Sequence, residues 1–443
     1  MNHYSDSHRS SPVLWLLGLI LIWAPIPLGG NRPWAWELLH GLIAIAAIVH
    51  CLSVLRTGRS VWPNKRHWLL LAGPALIALY LMLQLSGLSD VITTVDAYQT
   101  GIMLKKTLFL LLFAYLLLCH CQRHRQLRLI LGCILLSGGI QAVYGSLLHL
   151  SGAELSPIFG IPEEEKARGS FVYQNHFANY LALCLSLAVG WMLSELSTKS
   201  RPWRQWLHQL AELVLSKKLL LRLAIILMVV ALVLSRSRMG NAGFFAALAA
   251  VALLALFIYR NPPPFLKWLV LSIFVLDILL IGSMFGVEKV KQRMQETSFA
   301  SEARDEVVLH SLPILQQHGL TGTGGGSFYT IFPGYQQGPY SGFYDHAHND
   351  YLQFAIELGW PVTALLGLWA LVALWHCLWV MNQRRTRLYQ GVAFGCCVAL
   401  LHMGLHSTVD FSLQAPANSL LFVTIICLAY LVRSLPAPRR DSV

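Results

Sequence analysis

Charge is what this sequence has least of. Only 12% of its 443 residues are Asp, Glu, Lys or Arg, about half the roughly 25% typical of a soluble domain. Acids are the scarcer sign, with 21 Asp and Glu against 33 Lys and Arg. A soluble globular enzyme is excluded on that ground. Cysteine is also missing from the polar segments. The nine cysteines (Cys51, Cys119, Cys121, Cys133, Cys184, Cys377, Cys396, Cys397 and Cys427) all fall in apolar runs or at their ends. That excludes a disulfide framework and a structural zinc site, and leaves them as small packing residues. No internal repeat is present. No low-complexity domain follows the last apolar run, and no cleavable signal peptide is expected, because the first run lacks a small-residue cleavage site.

Apolar runs of about 20 residues dominate instead, each long enough to cross a bilayer as a helix. Twelve spans are expected, near 11–30, 35–55, 67–88, 103–120, 128–150, 172–194, 218–235, 240–259, 266–285, 361–381, 389–409 and 415–433. The fold class is therefore all-α and polytopic, with about twelve transmembrane helices. Three regions follow: residues 1–285 with nine spans, a polar loop over 286–360, and residues 361–443 with three spans and a short tail. Residues 203–215 alternate Trp and apolar positions at helical spacing, as an interfacial helix would.

The net charge of +12 does not indicate nucleic acid, because it is spread over short loops between spans. On one side these loops hold 22 of the 33 Lys and Arg. By the positive-inside rule that side is cytoplasmic. Both termini then face the cytoplasm, and the large loop faces outward, into the periplasm of a cell with two membranes. Eleven positives face outward against the rule, among them Lys105, Lys106, Arg168, Arg236, Arg238 and Arg304. They are candidates for holding a lipid-linked anion, with snorkelling to lipid phosphates as the alternative.

Five outward constellations carry polar chemistry. Arg168-Gly-Ser-Phe leads to Asn175, His176 and Asn179, with the two Asn on one helical face. Ser235-Arg236-Ser237-Arg238 is a tight turn whose guanidinium forks match phosphate oxygens, at the N-terminus of the next helix. Phe299–His318 reads as an amphipathic helix bearing Arg304. Gly322–Gly326 followed by Asp345-His346-Ala347-His348-Asn349-Asp350 is the most polar stretch of the chain. Its glycines lack the Lys of a nucleotide loop and read as a lid or acceptor surface. Its two His, spaced i, i+2, have no further ligands at recognisable spacing, so a metal site is not expected. Finally, His402, His406 and Asp410 recur every four residues at the end of the eleventh span, as if lining one helix face. The structural alternatives are a cap with interhelical hydrogen bonds at Asn175–Asn179, a salt bridge at the arginine turn, a solvated face on the amphipathic helix, and a buried hydrogen-bond network at His402–Asp410.

At these residues the sequence resembles the O-antigen ligase and polymerase superfamily of bacterial membrane glycosyltransferases. The matching pieces run in order from Arg168-Gly-Ser-Phe and Asn175 through Ser-Arg-Ser-Arg238 and Arg304. They continue with Gly-Thr-Gly-Gly-Gly-Ser-Phe and His348-Asn349-Asp-Tyr-Leu with Glu357 and Gly359, and end at His406-Ser with Asp410-Phe. The resemblance implies a GT-C-like helical core. It also implies transfer of a glycan from undecaprenyl diphosphate to an acceptor hydroxyl, without metal or nucleotide cofactor. It assigns catalysis to Arg238, Arg304 and His348. Substrate contacts fall to Arg236, Arg168, Asn175, His346, Asn349, His406, Asp410, Lys105 and Lys106. His346 competes with His348, and Arg236 with Arg238. The acceptor expected first is the lipid A core, making the chain an O-antigen ligase. The alternatives are a polymerase joining lipid-linked repeat units and a protein (pilin) O-glycosyltransferase. Ligases carry Gly eleven residues after the His, as Gly359 does, and a second Gly three further on, where this chain has Val362. A transporter of lipid-linked sugars is the reading from a different class. It would want ionisable groups at mid-membrane, and Asp277 is the main one.

Overall fold

The computed structural model describes residues 11–58, 62–162, 166–195, 218–259, 298–336 and 344–438, and within these the side chains of 66, 218 and 298–305 are not described. The helices are α1 (Pro12–Trp23), α2 (Pro33–Thr57), α3 (Trp68–Ser86), α4 (Ala97–His120), α5 (His124–Leu150) and α6 (Gln174–Glu195). They continue with α7 (Lys218–Leu234), α8 (Arg238–Ile258), α9 (Ser298–His318), the short α10 (Phe328–Ile331), α11 (Asp350–Gln383), α12 (Arg387–His406) and α13 (Pro416–Ser434). Among the described residues nine helices are long and apolar enough to cross a membrane, and α1 and α7 are shorter apolar helices. The protein is an all-α polytopic membrane protein. Eleven of the twelve expected spans coincide with these helices. The ninth, near 266–285 and containing Asp277, lies outside the described residues, as does the interfacial helix expected over 203–215.

Burial divides the helices. The most apolar stretch of α6 is 83% buried, and those of α12 and α13 are each 78% buried, against 28% for α2 and α11. So α6, α12 and α13 form the centre and the others expose apolar faces to lipid, where greasy side chains cost nothing. Small residues let α6 and α12 approach closely, as membrane helices do where lipid gives no hydrophobic drive to associate. A Cβ added at Gly190 would stand 2.2 Å from the Gly391 carbonyl oxygen and 2.8 Å from the Gly395 N.

Two helix breaks shape the bundle. In α3, Pro74 has no N–H for the Leu70 carbonyl four residues earlier. The indole Nε1 of Trp369 on α11 donates to that carbonyl at 3.0 Å, closing the gap and pinning α3 to α11. The second break is in α11, where Gly359 leaves the helical region (φ 79, ψ 159) and Pro361 follows. This helix runs across the loop–span boundary expected at 360. Its first half falls in the stretch expected as polar loop, and its second half coincides with the tenth expected span. The break strands carbonyls at Ile356 and Glu357. Thr323 N donates to Ile356 O at 2.8 Å, Gly324 N to Glu357 O at 3.0 Å, and Gln84 Nε2 to Glu357 O at 3.1 Å. The glycine-rich turn is therefore a plug for a broken helix, which corrects its reading as a lid. A Cβ at Gly322 would lie 2.3 Å from the Glu357 carbonyl oxygen, so the turn can seat only with glycine there.

Gly190→Ala tests the central crossing. Overpacking there costs about 1–3 kcal/mol, and the detergent-solubilised variant is expected to melt several degrees lower than wild type. Gly132→Ala, whose added Cβ meets nothing within 4 Å, is expected to leave the melting temperature unchanged.

Candidate active site

The site is assembled where the start of α11 meets the turn after α12. Asn349 is the N-cap of α11. Its Oδ1 accepts from Leu352 N at 3.1 Å, a bond worth about 1 kcal/mol, and its Nδ2 donates to the Thr408 carbonyl at 3.0 Å. The N–H of Asp350 is shared between the carbonyls of Ser407 (3.0 Å) and Asp410 (3.1 Å). The buried Asp350 carboxylate accepts from Ser407 Oγ at 3.0 Å and Leu413 N at 3.3 Å. Tyr351 adds a bond from its hydroxyl to Gly404 O at 2.9 Å. These contacts fasten the loop ahead of Asp350 to the α12–α13 turn.

That fastening places both loop histidines on one ring, Phe411. His346 stacks on it at 4.2 Å with 19° between planes, and His348 meets it edge-on at 4.9 Å and 81°. From the bundle side His176, at the start of α6, also meets it edge-on at 4.8 Å, and Tyr173 stacks at 5.9 Å. His176 is buried, and its Nε2 lies 3.7 Å from Asp410 Oδ1. Phe411 thus gathers three histidines from two distant parts of the chain. Sequence reasoning included Phe411 only as the neighbour of Asp410. An aromatic after an Asp carries no signal of this role.

A polar chain sets the pose of His346. Gly326 N donates to Glu357 Oε2 and Gln353 Nε2 to Glu357 Oε1, each at 2.9 Å. The same Gln353 amide faces His346 Nδ1 at 3.1–3.2 Å and takes the Ala347 N–H at 3.3 Å. Gln353 and Glu357 are wholly buried. Burial holds the His346 pKa below its ordinary value of 6.5, Asp345 and Gln353 oppose that, and the Lys106 charge adds to it. His348 differs in backbone. Its φ is +50, one of three non-glycine residues in the left-handed region among the described residues; Arg236, at +51, is another. Such strain persists only where surrounding contacts over-determine it, and it gathers at functional sites.

The arginine turn reaches this cluster through α6. Ser237 caps α8, accepting from Gly240 N at 3.2 Å. Gly240 lies so close to Ala178 that an added Cβ would sit 2.6 Å from the Ala178 Cβ. Ala178 is two residues from His176. Arg236 and Arg238 are exposed here. The backbone of Arg304 is placed by α9, whose Val307 and Ile314 pack with Ala347, Leu352 and Ile356. Its side chain lies outside the described residues.

The other residues expected to contact substrate have partners within the chain. Arg168 is buried and donates through Nη2 to the Pro162 carbonyl, next to a bond from Ala167 N to Leu234 O at 3.1 Å. Asn175 Nδ2 donates to the Tyr173 hydroxyl at 2.8 Å. His406 is buried, with Nδ1 3.2 Å from Ser412 Oγ. Asp410 does not continue a helix face with His402 and His406, because α12 ends at His406. The chain turns there, and the Ser407 and Asp410 carbonyls go to Asp350. Lys105 pairs with Glu37, and Lys106 lies 5.2 Å from the Trp36 ring centroid. Among the described residues no three His, Cys, Asp or Glu are grouped as metal ligands.

Residues 223–367 match the family model described as O-Antigen ligase. Over that segment the chain is similar to the O-antigen ligase superfamily. This O-antigen ligase segment holds the arginine turn, Arg304, the His346–Asn349 loop and the break at Gly359. The rest of the site, from Phe411 to His176, comes from outside it. No curated protein matches the chain. The family is one of glycan-transferring ligases and polymerases.

The pH dependence of the loop has a defined sign. His346 has a folded pKa below its unfolded value, so the stability it contributes is complete above about pH 6.5. It is lost as the pH falls below that value through the folded pKa. Hydrogen exchange of 344–350 is expected to accelerate on acidification below pH 6.5. A His346→Gln variant, which cannot charge, is expected to remove that dependence.

Proposed function

We propose that this protein transfers a glycan from a polyprenyl-diphosphate carrier, undecaprenyl diphosphate, to an acceptor hydroxyl at the outer face of the bacterial inner membrane. The observation that carries the reading is the convergence on Phe411 of His346 and His348, two histidines of the O-antigen ligase segment, beside the helix start that packs on the arginine turn. The distribution of Lys and Arg supports cytoplasmic termini and a periplasmic site.

In this reading Arg238, with Arg236 and Arg304, takes the diphosphate. Charge develops on the leaving oxygen as the glycosidic bond breaks, and fixed guanidinium donors stabilise it more in the transition state than in the ground state. His348 accepts the proton of the acceptor hydroxyl as it attacks the anomeric carbon. His346 is held by Gln353 and Glu357 and positions the loop, which favours His348 as the base. Asn349 and Asp350 orient it through the cap and the fastening to α12. Glycan transfer needs no metal or nucleotide in this scheme, since the carrier diphosphate is itself the leaving group. The acceptor best supported is the lipid A core, as for an O-antigen ligase, because the chain matches that family's description and keeps Gly359.

His348→Ala is expected to abolish transfer of lipid-linked glycan in membranes while expression and melting temperature hold. Transfer at the wild-type rate by the folded variant would reject His348 as base. Arg238→Lys is expected to lower kcat by 10- to 100-fold, as a point charge replaces a two-pronged donor. An unchanged rate would assign Arg238 a structural part only.

A further inference from the structure

Two polar residues that the sequence marks, Asn179 and His402, contribute nothing to the Phe411 cluster and lie wholly inside the bundle. Asn179 stands eleven residues before Gly190 on α6, and His402 eleven after Gly391 on α12. Eleven residues make three turns, so each lies on the face that carries the glycine crossing. The two helices run antiparallel there. An added Cβ at Gly190 meets both Gly391 and Gly395, and one at Gly395 would lie 2.6 Å from the Ser186 carbonyl oxygen. About 16 Å further along each axis, toward the Phe411 cluster, Asn179 and His402 come level across the interface. Helix α8 closes the third side. A Cβ added at Gly240 would lie 2.6 Å from the Ala178 Cβ, and one at Gly243 would lie 3.4 Å from His402 Nδ1. Gly240 and Gly243 are neighbours on one face of α8, so the two side chains share one junction of α6, α8 and α12.

Among the described residues, no protein group forms a hydrogen bond with Asn179 Oδ1 or Nδ2. Both His402 nitrogens are in the same state. Its Nδ1 lies against Gly243, whose backbone is within reach of the ring. Granting that contact to Nδ1 still leaves Nε2 unmet. Asn418 of α13 adds a fourth wall. Its Nδ2 donates at 3.1 Å to the carbonyl of His176, one turn before Asn179, and its Oδ1 is unpaired. Buried hydroxyls further along the same helices satisfy themselves. Ser186 Oγ and Thr424 Oγ1 each donate at 2.7 Å to the carbonyl four residues back. Asn179 and His402 make no such return. Bare polar atoms in a membrane interior are costly, because neither lipid nor apolar side chains can pair with them. The need is also mixed, since a carboxamide and a neutral imidazole each carry a donor and an acceptor. An ion of one sign answers half of it, and water answers all of it.

We propose that Asn179 and His402 hold internal water at the junction of α6, α8 and α12, and that this hydrated joint sets where the arginine turn stands relative to Phe411. Gly243 follows Arg238 by about 7–8 Å along α8. His176, which meets Phe411 edge-on, is one turn from Asn179. The joint therefore ties the helix that carries the turn to the helix that carries one edge of the histidine cluster. Both residues are enclosed, so they act as positioning residues. Water binding stands independently of the proposed reaction, and only the positioning role rests on that reading.

The test exposes the full chain, in nanodiscs and heavy-oxygen water, to short X-ray pulses and maps the labelled residues by mass spectrometry. Hydroxyl radicals formed in place from bound water label the side chains beside it. Phe244 is 1% exposed, and its ring lies 6.4 Å from that of His402. It is expected to take the label, while Phe113, wholly buried in α4, stays unlabelled. The double variant Asn179→Leu with His402→Phe makes the junction apolar and is expected to remove the Phe244 label. It is also expected to lower kcat for glycan transfer about 10- to 100-fold with KM little changed, as a small misplacement of catalytic groups does. His402→Gln, whose amide again carries a donor and an acceptor, is expected to keep both the label and kcat, and it tests the site where the double variant fails to fold. The proposal is overturned if wild-type Phe244 stays as unlabelled as Phe113, or if the folded double variant labels like wild type. Label lost at an unchanged kcat, or kcat lost in His402→Gln with the label kept, overturns the positioning role. Expected labelling with no glycan transfer by the wild type would reject the proposed reaction and leave the water site standing.

Discussion

The N–H of Asp350 shared between two carbonyls, with its carboxylate returned to Ser407 and Leu413, is the interaction on which the rest of the site depends. It joins the first turn of α11 to the turn between α12 and α13. Everything N-terminal to it, from Tyr344 to Asn349, is placed by that junction. Without it His346 and His348 have no fixed relation to Phe411, and the residues from α6 lose their partners. A buried carboxyl group is costly alone, and here one oxygen, Oδ2, accepts both hydrogen bonds. That need for partners also makes the junction specific.

The same accounting explains the glycine-rich segment. A helix broken in a membrane protein exposes carbonyls that no water in the hydrocarbon can satisfy. The break at Gly359 and Pro361 creates such groups, and the turn at 322–326 supplies the missing N–H donors. Gln84 from α3 completes the set, and Glu357 uses Gly326 as a donor to its own side chain. Turn, break and the Gln353–His346 chain therefore form one unit. The break re-aims the polar half of α11 toward α12 instead of letting it run straight out of the membrane.

Some of this was legible in the residues. The spans could be read because lipid demands about 20 apolar residues in sequence, a purely local requirement. The loop histidines and the arginine turn stood out because ionisable groups are scarce in such a chain. The junctions were harder to read. Phe411 is one aromatic among many, and nothing local marks it as the ring that gathers His176, His346 and His348. The ladder of His402, His406 and Asp410 followed a helical period beyond the point where the helix ends, since a spacing of four cannot show that Asp350 takes the carbonyls of the next turn. Arg168 and Asn175 looked like ligands for substrate, and the fold gives both of them partners in the chain, the Pro162 carbonyl for Arg168 and the Tyr173 hydroxyl for Asn175.

The sequence by itself determined the class of molecule, the order of its helices, and which few polar residues had to be explained, because hydrophobic length and charge scarcity act along the chain. Only the tertiary structure decided which of those residues meet. The loop before α11, the turn after α12 and the start of α6 are far apart in sequence, and they converge because buried N–H, carbonyl and carboxylate groups must find partners across helices. The same convergence sets Asn179 level with His402 where α6, α8 and α12 meet, a juxtaposition that no local pattern records.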